Sequence, residues 1–224
     1  MSFINNPAVA ATREKLILAA VNLFSNYGFT NTTTRMIANQ ANVSLSAISF
    51  HFQTKDNLYK ATLEYAAEHI SSAYDDIYFQ IETLYGESFL DRNKAWDLIC
   101  QLVDLQLYIA VDLPHKEFLT LLYWEQIYSP DGYCPITEVV YKKSEYALAT
   151  LIQAYTGINN PQWAIVISRT INGSIISFGE HPVFIRKALN LTDEQAKLPA
   201  EIKNTIRNYT LNNIKRLAED SVFL

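Results

Sequence analysis

The chain has 224 residues, 49 per cent hydrophobic and 12 per cent aromatic, enough for a sizeable core in one or two domains and unlike a disordered chain. Two cysteines, Cys100 and Cys134, make no disulfide framework and no metal-ligand pair, and no apolar run approaches the roughly 18 residues of a membrane helix. A net charge of −5 argues against a nucleic-acid binder, but residues 1–60 carry five basic and two acidic side chains, a net of +3, against −8 for the remainder, so a mildly basic head sits on an acidic body.

In chain order, MSFINNPAVAATREK has no signal-peptide character, and the protein is expected in the cytoplasm with no membrane partner. Ala8 to Tyr27 is the first predicted helix, with Ile17, Ala20, Val21 and Phe24 at helical spacing and Gly28 placed to end it in a left-handed conformation. Thr33 is the expected cap of a second helix to Gln40, whose Met36 and Ile37 face a small core. After the polar joint Asn42-Val43-Ser44, a third helix runs from Leu45 to about Phe52, with Ser44 able to cap it. Helices this short need neighbours to hold them, and they then present their other face outward. That is the arrangement of a helix-turn-helix, whose second helix enters the major groove.

The stretch from Arg13 to Leu63 resembles the DNA-binding domain of TetR-family transcriptional regulators. The resemblance rests on Ile17-Leu18-Ala19-Ala20, Leu23-Phe24, Gly28-Phe29, Thr32-Thr33, Ile37-Ala38, Ala41-Asn42-Val43-Ser44, Ala47-Ile48, His51-Phe52 and Lys55 followed by Leu58. Asn42 stands where that turn normally has Gly, and Asn is the residue that best tolerates positive φ in its place. Ser49 and Phe50 stand where two aromatics are common.

Candidate DNA contacts on the third helix are Ser44, Ser46, Ala47, Ser49 and Phe50. Serine hydroxyls can meet base edges or phosphates, and Ala or Phe can touch a thymine methyl. No Arg, Lys, Asn or Gln lies within residues 44–52, so bidentate base readout is missing from this helix. Arg35 and DNA shape are expected to help. Thr33 and Thr34 suit phosphate through hydroxyls and helix-terminal amides. Lys55, opening the fourth helix, resembles the family's phosphate-contacting lysine. His51 reads equally as a phosphate contact or a packing residue.

Beyond the head, helices are predicted over 55–80, 92–110, 115–128, 136–155, 161–178, 183–189 and 196–217, with breaks at Gly86, Pro114, Ser129-Pro130-Asp131-Gly132, Gly157 and His181-Pro182. In the family the fourth helix links head to body. The 160–178 segment is apolar on nearly all sides, which implies burial against a second chain, and the resemblance assigns it, with 197–217, to a homodimer interface. Arg169 in that segment needs a partner, with Glu125 or an acid across the dimer as candidates. The body resembles, through Tyr123-Trp124-Glu125-Gln126 and the run Val166 to Phe178, the C-terminal domain of CecR-like members. An effector pocket is expected among the helices 92–110, 115–128 and 136–155, lined by Leu105, Tyr108, Ile109, Trp124, Glu125, Tyr128 and Tyr141, and suited to an apolar or aromatic small molecule.

The expected fold is all-α: a helix-turn-helix DNA-binding domain over residues 1–55 and a larger helical effector-binding and dimerisation domain over 56–224. The expected function is a ligand-responsive regulator, released as a homodimer from a pseudo-palindromic double-stranded operator by a small-molecule effector. The rival is an all-helical interaction or sensor module without sequence-specific DNA binding. No nucleophile-base constellation, phosphate loop or metal cluster stands out, so neither an enzyme nor a cofactor is expected.

Overall fold

The computed structural model describes residues 7–86, 91–114, 116–192 and 197–219. The fold is all-α. The elements are α1 (Pro7–Asn31), α2 (Thr34–Gln40), α3 (Leu45–Phe52), α4 (Lys55–Ser72), α5 (Asp75–Gly86), α6 (Arg92–Val111), α7 (Glu117–Ile127), a 3-10 turn (Pro130–Gly132), α8 (Pro135–Val140), a π-helical turn (Tyr141–Tyr146), α9 (Ala147–Thr156), α10 (Pro161–Glu180), α11 (Pro182–Ala188) and α12 (Ala200–Leu217).

Local chemistry explains most boundaries. Gly28 has positive φ as expected, but its ψ of 173° is extended rather than left-handed helical, a region open essentially to glycine alone, and helical turns resume to Asn31. Thr33 caps α2 by accepting from the Met36 amide at 3.2 Å. Asn42, at φ 53°, closes that helix: its amide donates to the Asn39 carbonyl and the Val43 amide to the Ala38 carbonyl, a Schellman arrangement. Ser44 precedes α3 but makes no side-chain cap; its hydroxyl is hydrogen-bonded to that of Ser46 at 2.9 Å. Asn160 caps α10, with Pro161 in the first turn, and Gly157 at φ 83° ends α9.

Two predicted helices are subdivided. The 55–80 segment breaks near Tyr74, which is buried, and α5 restarts on Asp75 and Asp76, two acids that favour a helix N-terminus. The 136–155 segment contains the π turn, discussed below. The predicted joint over 81–90 is helical as far as Gly86; residues 87–90, His115 and 193–196, parts of other predicted boundaries, lie outside the described residues.

The chain forms two compact units, one from the described residues of 1–70 and 115–138, the other from those of 71–114 and 139–224. In the first, Leu16, Phe24, Ile37, Ile48, Phe52, Leu58 and Leu63 bury a core shared by α1 to α4. Helix α7 docks on α1: the Trp124 indole N–H donates to the Ser25 carbonyl at 2.9 Å, and its ring covers Gly28, where a Cβ would come within 3.0 Å. Tyr128 stacks on Phe29 at 4.2 Å, and Tyr59 meets Phe24 and Phe29 edge-on.

In the second unit, α6 packs against α9, α10, α12 and α5. Leu98, Ile99, Leu102, Leu148, Leu151, Ile152, Ile175 and Ile214 are buried there. A Cβ at Gly179 would lie 2.0 Å from the Ala110 carbonyl oxygen, so α10 approaches α6 with no room for a side chain. Arg207 grips Asp104 through two nitrogens at 2.5 and 3.0 Å, and Lys203 pairs with Asp112 at 2.8 Å, fixing α12 to α6.

Candidate nucleic-acid interface

Helix α3 divides its circumference cleanly. Leu45, Ser46, Ser49 and Phe50 are exposed, while Ile48 and Phe52 are buried and Ala47 and His51 half-buried. Residues 45/49 and 46/50 form two adjacent ridges at i,i+4 spacing, and 47/51 and 48/52 complete the opposite arc. Among the candidates, Ser44, Ser46, Ser49 and Phe50 therefore stand on or beside the open face. Ala47 and His51 turn toward the core. Leu45, absent from the candidates, joins the open face at 44 per cent exposure, and Phe50 reaches 66 per cent.

The remaining candidates lie on neighbouring elements of the head. Thr33 and Arg35 are exposed and Thr34 half-buried at the start of α2. Thr32, one place earlier, is fully buried, its hydroxyl within hydrogen-bond reach of the Gly28 carbonyl at 2.8 Å and the Leu23 carbonyl at 3.1 Å, which pins the approach to α2. Lys55 lies with Nζ 4.1 Å above the Phe29 ring. Desolvation lowers its pKa, partly offset by Asp56. Arg13 lies over the Phe52 ring at 5.4 Å. Partial burial, reinforced by the Arg13 charge, pushes His51 below its ordinary value, so at neutral pH it is an uncharged imidazole.

The seven residues expected to line an effector pocket divide between the units. Trp124, Glu125 and Tyr128 belong to the first; Leu105, Tyr108, Ile109 and Tyr141 belong to the second. Glu125 is fully buried, and its carboxylate accepts from the Ile136 amide at 3.0 Å, the Thr137 amide at 2.8 Å and the Thr137 hydroxyl at 2.6 Å. It caps the start of α8. Trp124 and Tyr128 are engaged with α1 and Phe29 as described. Ile109 is buried, Leu105 half-buried, and Tyr108 and Tyr141 are 45 and 40 per cent exposed. Arg169 does not meet Glu125; it donates to Glu145 of its own chain at 2.5 Å.

The second unit contains a buried polar cluster that sequence patterning missed. Gln106 donates to the Ser144 hydroxyl at 2.7 Å, Asn172 to the Glu145 carboxylate at 3.0 Å, and the Ser168 hydroxyl to the Glu145 carbonyl at 2.6 Å. Ser144 and Glu145 sit in the π turn. Burial is the main cause that raises the nearby Tyr74 phenol to about 12. On helix α10, Ala164, Ser168, Ile171, Asn172 and Ile175 are buried, whereas the apolar Trp163 and Val166 are half-exposed. With Ile167, Tyr209 and Leu217 these line an apolar groove of about 570 Å³ along α10 and α12. Among the described residues, no group of three His, Cys, Asp or Glu could hold a metal ion, and no helix is long and apolar enough to cross a membrane.

Residues 16–62, spanning α1 to the middle of α4, match the family described as bacterial regulatory proteins, tetR family. The α1–α4 segment is thus similar to the N-terminal part of TetR-family regulators. The chain is 27% identical over 199 residues to the HTH-type transcriptional dual regulator CecR of Shigella flexneri, covering 86% of this chain and 89% of that protein. It is 38% identical over 73 residues to the probable HTH-type transcriptional regulator YttP of Bacillus subtilis (strain 168), covering 28% of this chain and 35% of that one. The fold is shared with AibR, solved in complex with isovaleryl coenzyme A and operator DNA, at a TM-score of 0.62 and 12% identity over 90% of this chain and 97% of that one. The likeness of fold thus extends through the helical body.

Proposed function

We propose that this protein is a dimeric DNA-binding transcriptional regulator, acting in the cytoplasm, whose hold on a pseudo-palindromic operator is released by a small molecule. The observation that carries the reading is the α2–α3 pair, which lies within the TetR-family match and turns residues 45, 46, 49 and 50 outward. Thr33, Thr34, Arg35 and Lys55 supply phosphate contacts around that face. The open apolar groove along α10 and α12 suits a second copy of the chain and so a pair of heads. Effector response is supported by AibR, a protein of the same fold solved with both a coenzyme A thioester and operator DNA. An apolar or aromatic effector stays part of the proposal. Leu105, Tyr108, Ile109 and Tyr141 are its candidates, since Trp124, Glu125 and Tyr128 have structural partners. Release requires the effector to favour the state that binds operator less well.

The test is selection of bound fragments from genomic DNA by the purified chain, followed by titration across a salt series. The reading predicts a discrete set of enriched fragments. It also predicts that Lys55→Ala weakens binding to all of them and reduces the salt slope by about one. Enrichment of no sequence above bulk DNA would favour the interaction-module reading instead.

A further inference from the structure

The open face of α3 is two hydroxyls and two large apolar side chains. Ser46 is already hydrogen-bonded to Ser44, and serine hydroxyls both donate and accept, so they discriminate poorly between bases. Leu45 and Phe50 are the distinctive groups, exposed by 44 and 66 per cent on a helix whose remaining apolar residues turn inward. The Phe50 ring is held edge-on against His51 at 4.9 Å, which limits where it can swing. In the major groove one base alone carries a large apolar group, the C5-methyl of thymine. Resting on the regulator reading, we infer that Leu45 and Phe50 are specificity-determining residues that read two thymine methyls in each half-site.

The spacing follows from the helix. Five residues advance about 7.5 Å along the axis at roughly 1.5 Å each. Base pairs rise about 3.4 Å. The same five residues turn about 140° around the axis, so a helix lying along the groove sends Leu45 and Phe50 toward its two walls, over thymines about two base pairs apart. The charge of the N-terminal segment fits a duplex, since residues 1–60 carry a net of +3 and include Arg13, Lys15, Arg35 and Lys55. Readout by methyl contact also accounts for a recognition helix without Arg, Lys, Asn or Gln.

The experiment takes the DNA sequence enriched by selection and replaces each thymine of a half-site in turn by deoxyuridine, which removes the methyl and leaves base pairing intact. Binding is measured for the natural chain, Leu45→Ala and Phe50→Ala; both side chains are exposed, and unchanged helix content by circular dichroism certifies the fold. Two thymines about two base pairs apart are expected to be sensitive, each substitution weakening the natural chain by about fourfold, the worth of roughly one buried methyl. One sensitivity disappears in Leu45→Ala and the other in Phe50→Ala. A selected site bound tightly yet indifferent to deoxyuridine everywhere overturns the inference and leaves the regulator reading standing. So do losses that persist undiminished in both variants. Failure to select any sequence overturns both.

Discussion

Gln53 joins α3 to α4 at φ 62°, ψ −48°, and the Thr54 amide donates to the Phe52 carbonyl at 2.7 Å, closing a γ-turn of the strained hand. A side chain is disfavoured there by about 1 kcal/mol or more. Gln53→Gly is expected to raise unfolding free energy by about 1 kcal/mol in urea denaturation, provided the weak Asn57 contact to the Gln53 side chain, at 3.5 Å, contributes little. A loss of stability would show that this contact outweighs the strain. His51 gives a pH prediction. Its folded pKa lies below 6.5, so as pH falls through 6.5 the unfolded chain takes up a proton before the folded one, and stability declines. Denaturation midpoints between about pH 8 and pH 5 should therefore fall less for His51→Gln than for the natural chain; parallel profiles would contradict the assignment. At this scale the sequence pointed to Ser46, Ser49 and Phe50 but left Leu45 out of the exposed candidates, because three-residue spacing to Ile48 fits a shared core face as readily as neighbouring arcs.

The head helices were legible because each carries its own punctuation: Thr33 before α2, Asn42 after it, and Thr54, whose hydroxyl accepts from the Asn57 amide, before α4. The π turn was not, because its causes lie far along the chain. Ser144 and Glu145 face the interior only because Gln106 on α6 and Ser168 and Asn172 on α10 meet them there. The Ser168 hydroxyl also donates to the Glu145 carbonyl within that turn. Glu125 misled for the same reason. In sequence it is an acid among aromatics, which suggests a pocket; in the fold its carboxylate collects three donors from residues eleven and twelve positions later. Glu125→Ala is expected to cost about 2–4 kcal/mol in unfolding free energy by leaving buried amides without an acceptor. A fully stable variant whose only change is in effector response would restore Glu125 to a binding role.

At the scale of the whole molecule, the all-α plan was readable from helical periodicity, whereas the grouping of α7 with the head was not, since no local signal joins Trp124 to Ser25 and Gly28. The groove along α10 and α12 exposes Trp163, Val166 and Tyr209 by half or more, an apolar surface that suits a partner. Val166→Glu is expected to shift sedimentation from about twice the chain mass of 25.5 kDa to that mass, with the helical signal retained; a species unaltered by the substitution would remove α10 from the dimer interface. The proposed dimer, with two heads held by one interface, predicts a symmetric imprint on DNA. The decisive measurement is nuclease protection of a selected genomic fragment by the purified chain. Two protected half-sites of inverted sequence, lost together in Val166→Glu, are the expected result. Protection of a single unsymmetrical site, or none at concentrations where the fragment is retained, would contradict a dimeric regulator that reads its operator through α3.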